Sequence, residues 1–396
     1  MSTTMSTLAS VLKNDYIGPI REQLNNATVL LTQLKKSTKE VVGSSVVLPL
    51  HTGRNWGIGA RGTTGTGTLP TARNQQYKST SFATKDVYGR VQFDGKTIRA
   101  TKTDKGAFLR AATSEIEGMT KDLANDINRQ LYLDGSGTLA TYASGTGTTT
   151  ITVDSTQYLQ AGMYIDFNAG GGGSSVAILI SSVDSSTVFT AAATVTAAGS
   201  DPITLSGVGT TDELNGLALI TNNTGTLEGI TTASYSEWKG NVYGNDSAPV
   251  ALTQSDMQQV IDACDKKGGK VDFIITSHEG RNAYINILSS QVRFSNPAPT
   301  KLKGGFEYID FNGIPITVDK HCQSNDTATR MFFLSMDTLK IYRMADFDWM
   351  QEDGNILARQ VGAGATESYE ATLVCDMEFA TTARRQNGIL KGILPV

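Results

Sequence analysis

The chain has 396 residues, 40 of them Gly and only 3 Cys, with 34 Lys/Arg against 38 Asp/Glu. That length allows two or three domains and a substantial core, while a charged fraction of 18% lies below the roughly 25% usual in soluble proteins. Apolar runs such as Val176–Ile180 are far short of a bilayer span, and Cys264, Cys322 and Cys375 are too scattered for a disulfide framework or a CxxC metal site.

The charge is unevenly laid out. Residues 1–110 carry 16 Lys/Arg against 6 Asp/Glu, whereas Gln130 to Trp238 holds 9 acidic residues and no Lys or Arg. Such asymmetry predicts contacts between segments or between copies of the chain, with solvated arms of opposite sign as the plain alternative. The N-terminus opens polar, at Met1-Ser2-Thr3-Thr4, without the basic and apolar regions of a signal peptide.

In chain order, residues 1–45 read as a basic arm with one helix. It starts near Asp15–Pro19, carries apolar residues at Ile20, Leu24, Ala27, Leu31 and Leu34, and ends on Lys35-Lys36. Strand-like runs at Val46–Leu50 and Phe82–Ile98 enclose some 30 polar, Gly-rich residues, the pattern of a long projecting hairpin. Phe108, Ala112, Ile116, Met119, Leu123, Ile127 and Leu131 then recur at spacings of three and four. They predict a helix over 104–133, a rod of about 42 Å. Residues 138–210 switch to short alternating strands and read as a small β-barrel or sandwich inserted into the chain. Residues 250–345 look α/β: Thr253 is placed to cap a helix that Lys267-Gly268-Gly269 stops, Val271–Thr276 is a strand, and Glu279–Leu288 is a second helix. Further strands follow at Ile314–Val318, Met331–Leu334 and Leu339–Tyr342, and the tail is mostly β.

Catalytic patterns are thin. Gly57-Ile58-Gly59-Ala60-Arg61-Gly62 matches GxGxxG, yet Thr63-Thr64-Gly65 follows it instead of the helix a pyrophosphate needs. His51, His278 and His321 have no metal-ligand spacing. His321 beside Cys322 does not make a nucleophile pair if both lie on a strand, where neighbours point to opposite faces. Asp346, Asp348, Glu352 and Asp353 around Trp349 read as a turn rather than a cation site. The reading is of a non-enzyme without cofactor or metal.

A basic arm, a projecting hairpin, a very long helix, an α/β body and a β tail point to a self-assembling shell subunit. Four stretches, Tyr16–Asn26, Asp122–Leu131, Lys267–Asp272 and Phe311–Ile316, make the chain resemble the major capsid proteins of tailed double-stranded-DNA bacteriophages, with their Hong Kong 97-like α+β fold. The resemblance implies an N-arm at 1–45, an extended loop at 46–86, a peripheral domain with its spine helix at 87–137, an inserted β-domain at 138–210, an axial domain at 211–335, and peripheral return strands at 336–396. It also implies homo-hexamers and homo-pentamers around packaged DNA, assembled in a host cytoplasm with a portal and a decoration protein. With Met1 as the start, scaffolding would come from a separate protein. Lys35, Lys36, Lys39, Arg54, Arg61, Arg73 and Lys78 are the expected contact-forming cations. Some relatives cross-link a loop lysine; Lys78 and Lys85 are suitably placed, without an identified partner. An encapsulin-like nanocompartment subunit, and in a different class a β-rich enzyme or binding protein, remain the alternatives.

Overall fold

The computed structural model describes residues 27–60, 68–96, 105–167, 176–290, 300–301, 307–351, 358–359 and 368–396. Two sheets, a closed barrel and a projecting hairpin account for most of them. The first sheet is organised by the 14-residue strand Ser368–Thr381. It runs antiparallel to Lys85–Asp94 over ten residue pairs, from Ser368↔Asp94 to Met377↔Lys85. Leu339–Arg343, Asp348–Trp349 and Ala358–Arg359 also pair with it. Lys85–Asp94 alternates buried and exposed residues because one face of the sheet packs on the long helix and the other faces outward.

That helix spans Lys105–Gln130, about 39 Å at 1.5 Å per residue. The predicted span reached residue 133, but Leu131–Leu133 instead form a tight turn, with Tyr132 N donating to Arg129 O at 3.0 Å and Leu133 N to Gln130 O at 3.2 Å. The backbone at Gly216 is the reason. A Cβ there would lie 2.5 Å from Gln130 O and closer still to Leu133 O, and Leu217 N donates to Leu131 O at 2.7 Å. The helix end is thus satisfied by a segment 86 residues further on. Along its apolar stripe, Ile116 and Met119 are only half-buried, whereas Leu123, Ile127 and Leu131 are buried.

The arm departs from expectation. Within the described residues its helix is a single turn, Val29–Gln33, and Asp15–Asn26 lie outside them. Lys35 and Lys36 do not close a helix. They belong to the strand Lys35–Ser37, which pairs in parallel with Leu339–Arg343. The open edge of Leu339–Arg343 offers backbone partners that outweigh the weak favourable effect of cations at a helix end. The hairpin follows: Ser45–Gly53 and Gln76–Ala83 pair antiparallel.

The barrel closes six strands, in the order Val188–Ala191, Thr150–Val153, Ala140–Ser144, Pro202–Leu205, Tyr164–Phe167 and Ile178–Val183. Ile151, Ile165, Phe167, Phe189 and Ile203 fill it with almost no exposure. Closure removes open sheet edges, which decides between the barrel and sandwich that the strand spacing allows. The chain enters and leaves side by side, since a Cβ on Gly137 would lie 3.1 Å from Gly209 O.

The second sheet has seven strands: Asn241–Gly244, Gly388–Ile393, Thr329–Leu334, Phe273–Thr276, Ile314–Val318, Glu307–Phe311 and Thr300–Lys301. Helices Gln254–Lys266 and His278–Ser290 pack on it. Thr253 caps the first of these by accepting from Asp256 N at 3.1 Å. The final strand, Gly388–Ile393, pairs with Asn241–Gly244 and Thr329–Leu334. It therefore lies in this sheet and not with Ser368–Thr381, where a single returning segment over 336–396 would put it.

The graded burial of the helix stripe gives a graded expectation. Ile127→Ala should cost about 2–4 kcal/mol in chemical denaturation, because Ile127 is buried by the chain itself. Ile116→Ala should cost well under half of that in the isolated subunit, and an equal loss at the two sites would contradict the gradient.

Candidate assembly surfaces and the buried junction

Three consecutive polar residues end the long helix inside the protein: Asn128 is 0% exposed, Arg129 5% and Gln130 7%. Each fastens a different segment. Asn128 accepts from Leu31 N of the arm at 3.1 Å and donates to Asp319 Oδ2 at 2.9 Å. Arg129 makes a two-pronged contact with Glu213, at the exit of the barrel, and donates to Asp126 Oδ1 at 2.9 Å. Gln130 accepts from Leu214 N at 3.1 Å and donates to Asp126 Oδ2 at 2.7 Å. Burial opposes the charge on Arg129, but the carboxylates of Asp126 and Glu213 more than restore it and hold the guanidinium protonated well above its ordinary range.

Asp319 carries the network onward. It accepts from His321 N at 2.9 Å through Oδ1, in the turn that also seats the barrel. Gln157 Nε2 donates to Lys320 O at 3.1 Å and to Cys322 O at 2.8 Å, Gln157 Oε1 accepts from Ser324 N at 3.0 Å, and Tyr158 OH donates to His321 O at 2.8 Å. The barrel is therefore latched to the body by side chain-to-backbone bonds. His321 and Cys322 sit in this turn and not on a strand. Burial brings His321 down to about 4, so it is neutral near pH 7, and burial holds the Cys322 thiol protonated. The Cys264 and Cys375 thiols are likewise pushed up to about 11 by burial, so none of the three is an activated nucleophile.

Two further charges are enclosed. Arg384, fully buried, donates to the carbonyls of Leu219 at 2.8 Å, Ile220 at 3.0 Å, Thr224 at 3.1 Å and Trp238 at 3.4 Å. Glu378 accepts from Asn215 N at 2.8 Å and Phe379 N at 2.9 Å, with Lys85 Nζ 3.8 Å from its other oxygen. Burial pushes Glu378 up to about 7 against the pull of Lys85. Lys85 also donates to Glu213 O and is largely enclosed, so it is not a projecting loop lysine. Sequence patterning missed these groups, because a polar residue in a helical or strand pattern reads as a solvated position. The one available signal was the run of polar residues inside Asp122–Leu131.

The seven candidate contact cations are not gathered in one place. Lys35 pairs with Asp337 at 2.5 Å, both largely exposed, and Lys36 and Lys39 are exposed beside it in the chain. Arg54 and Arg73 are exposed on the two arms of the hairpin, Lys78 lies 6.0 Å from the ring centroid of Tyr235, and Arg61 falls outside the described residues. Around these cations the hairpin displays Trp56 at 68%, Ile58 at 75%, Leu69 at 77% and Tyr77 at 71% exposure. Four large apolar side chains are thus open to solvent on one excursion of the chain. Among the described residues no His/Cys/Asp/Glu group is arranged to hold a metal, and no helix is long and apolar enough to cross a membrane.

No family model matches the sequence, and no curated protein does. Solved structures do match in fold. A subunit of the cyanophage A-1(L) capsid asymmetric unit superposes with a TM-score of 0.63 at 15% identity, covering 99% of this chain and 100% of that one. The SrpI encapsulin of Synechococcus elongatus PCC 7942, in its holo complex, superposes at 0.51 with 10% identity, covering 98% and 95%. The resemblance to phage capsid subunits thus holds for the fold along nearly the whole chain.

The enclosed and exposed ion pairs should respond differently to substitution. Arg129→Met leaves Glu213 buried without its cation and should cost about 3–5 kcal/mol. Lys35→Met, at a solvated pair, should leave the unfolding midpoint unchanged. Urea denaturation of the two variants checks both, and an unchanged midpoint for Arg129→Met would remove the junction from this account.

Proposed function

From a chain with the fold of phage capsid and encapsulin shell subunits, we propose a major capsid protein that self-assembles into hexamers and pentamers of an icosahedral shell around double-stranded DNA. The observation that carries this reading is the hairpin, which leaves Trp56, Ile58, Leu69 and Tyr77 uncovered by its own chain. The half-buried Ile116 and Met119 on the long helix's apolar stripe support it from a second place. Burying four such side chains contributes about 1.5–3 kcal/mol each, repeated at every subunit contact of a closed lattice. Arg54, Arg73 and Lys78 then bring positive charge to acidic neighbours.

In this reading residues 46–86 are the extended loop, 87–137 hold the spine helix, 211–335 form the axial domain, and the barrel is an outward-facing insertion. The adjacent entry and exit at Gly137 and Gly209 fit an insertion at an exposed site, and a module without Lys or Arg is better placed away from packaged phosphates. A separate scaffolding protein, a portal and a decoration protein complete the expected partners. The fold likeness to an encapsulin keeps a nanocompartment as the second reading, distinguished by protein instead of nucleic-acid cargo.

Two outcomes are expected. Electron microscopy of the expressed protein, with scaffold supplied, should show shells or capsomers, and Arg54→Glu combined with Trp56→Ala should abolish them while circular dichroism stays unchanged. A strictly monomeric wild type, or normal particles from the double variant, would sink the proposal. Replacing 138–210 by a short Gly/Ser bridge should leave shells that disassemble at lower temperature than the parent; density placing the barrel on the inner face would end the outward placement.

A further inference from the structure

Between the long helix and the first sheet lies a cavity of about 210 Å³. Leu123 and Ile127 of the helix, Ile341, Leu373 and Met377 of the sheet, and Leu31 of the arm line it. Protein interiors rarely keep a void of this size, because the side chains around it forfeit contacts on one side. It is too narrow for a helix, which needs about 10 Å, and takes side chains only. The more exposed part of the lining is of another kind, with Lys36, Arg343 and Phe347. Arg343 pairs with Asp346 through Nη1, but its Nε is buried and has no hydrogen-bond partner among the described residues. A buried donor left open costs stability, and a guanidinium is best met by a carboxylate. The cavity therefore asks for an occupant that is apolar and carries a negative charge beside the apolar part.

Residues 1–26 lie outside the described structure, and the chain enters it beside this cavity. Leu31 is part of the cavity wall, and its N–H is tied to Asn128 Oδ1 at 3.1 Å. Thr28, at φ −120° and ψ 73°, is outside the helical region, so the turn Val29–Gln33 does not continue back through it. The backbone changes direction there. Leu24 stands five residues before Val29, a span of about 17 Å when fully extended. A segment tethered at that range meets the cavity at an effective concentration on the order of millimolar. Its chemistry matches the lining. Ile20, Glu22 and Leu24 alternate with Arg21, Gln23 and Asn25, so an extended backbone puts two apolar side chains and a carboxylate on one face. Asp15 and Glu22 are the only acids in residues 1–26, and Glu22 is the one set between two large apolar residues.

We propose that the cavity is a socket for the chain's own N-terminal segment: the backbone doubles back at Thr28, Leu24 fills the space between helix and sheet, and Glu22 accepts from Arg343 Nε. Lys36, on the same lining, adds a second cation for that carboxylate. The docked segment joins the arm, the long helix and the strands Leu339–Arg343 and Ser368–Thr381 at one point. One apolar side chain and one partly exposed ion pair make a weak hold, so the segment is stowed there and can be released to a competing surface. This holds for the single subunit and does not depend on the assembly reading.

Hydrogen exchange of the full chain, corrected for intrinsic rates, reads the docking at the amides of residues 20–26. In the wild type these should exchange at least about tenfold more slowly than an unstructured chain. Leu24→Asp removes the anchor and should bring them to the unstructured rate. Ala124→Leu, on the cavity wall, fills the space from the other side and should do the same while circular dichroism stays unchanged. Glu22→Ala should produce part of that rise. Co-expressing Leu24→Asp and Ala124→Leu chains separates the chain's own segment from that of a second copy. The intact segment of one variant then meets the open socket of the other, and protection should stay absent. Unstructured rates in the wild type, protection untouched by Ala124→Leu, or protection restored in the mixture would each overturn the socket. An unchanged rate in Glu22→Ala would overturn its pairing with Arg343.

Discussion

The constraint on which most of the structure depends is that the long helix must end inside the protein. The last turn of any helix leaves carbonyls without intrahelical partners, and here that turn is enclosed by the arm, the segment leaving the barrel and the turn at Asp319. Those carbonyls are met by the N–H groups of Tyr132, Leu133 and Leu217, and three polar side chains in a row, Asn128, Arg129 and Gln130, fasten the incoming segments to the same end. Once they are placed, three chain segments have fixed positions. Leu31 is bound to Asn128, Glu213 to Arg129 and Leu214 to Gln130. Buried networks of this kind rigidify only when fully satisfied: Asn128 and Gln130 both donate and accept here, and Arg129 donates to the carboxylates of Asp126 and Glu213.

The same junction resolves part of the charge asymmetry. Residues 130–238 contain no cation, yet they send Glu213 into the interior and Glu237 to the surface. Their partners come from outside the segment: Arg129 for Glu213 and Arg385, at 2.6 Å, for Glu237. Among the described residues, Lys35, Lys36 and Lys39 of the arm and Arg54 and Arg73 of the hairpin are exposed.

Barrel and hairpin answer to different physics. The barrel has its own dry core and no open edge, and it is held to the body by Gln157 and Tyr158 reaching backbone carbonyls. The hairpin is anchored where Val46, Leu48 and Phe82 meet the sheet and where Leu50 enters the main core. Beyond the last pair, Gly53 and Gln76, the described residues of this excursion form no strand.

Local patterning determined a good deal. Spacings of three and four marked the long helix, Thr253 and Gly268 bounded another, alternating runs marked the barrel strands, and two strand-like runs around a Gly-rich stretch marked the hairpin. Each of these is written within a window of a few turns or strands, where side-chain period tells which face is apolar. Tertiary structure alone decided that Lys35–Ser37 is a strand, since its partner Leu339–Arg343 lies some 300 residues away. It likewise decided that Gly388–Ile393 joins Asn241–Gly244, that six strands close instead of stacking as two sheets, and that Asn128, Arg129, Glu228, Glu378 and Arg384 are interior. A polar residue carries no mark of its future partner. Whether it faces water or a matching group depends on which distant segment the fold brings against it, and that is set by the packing of the whole chain.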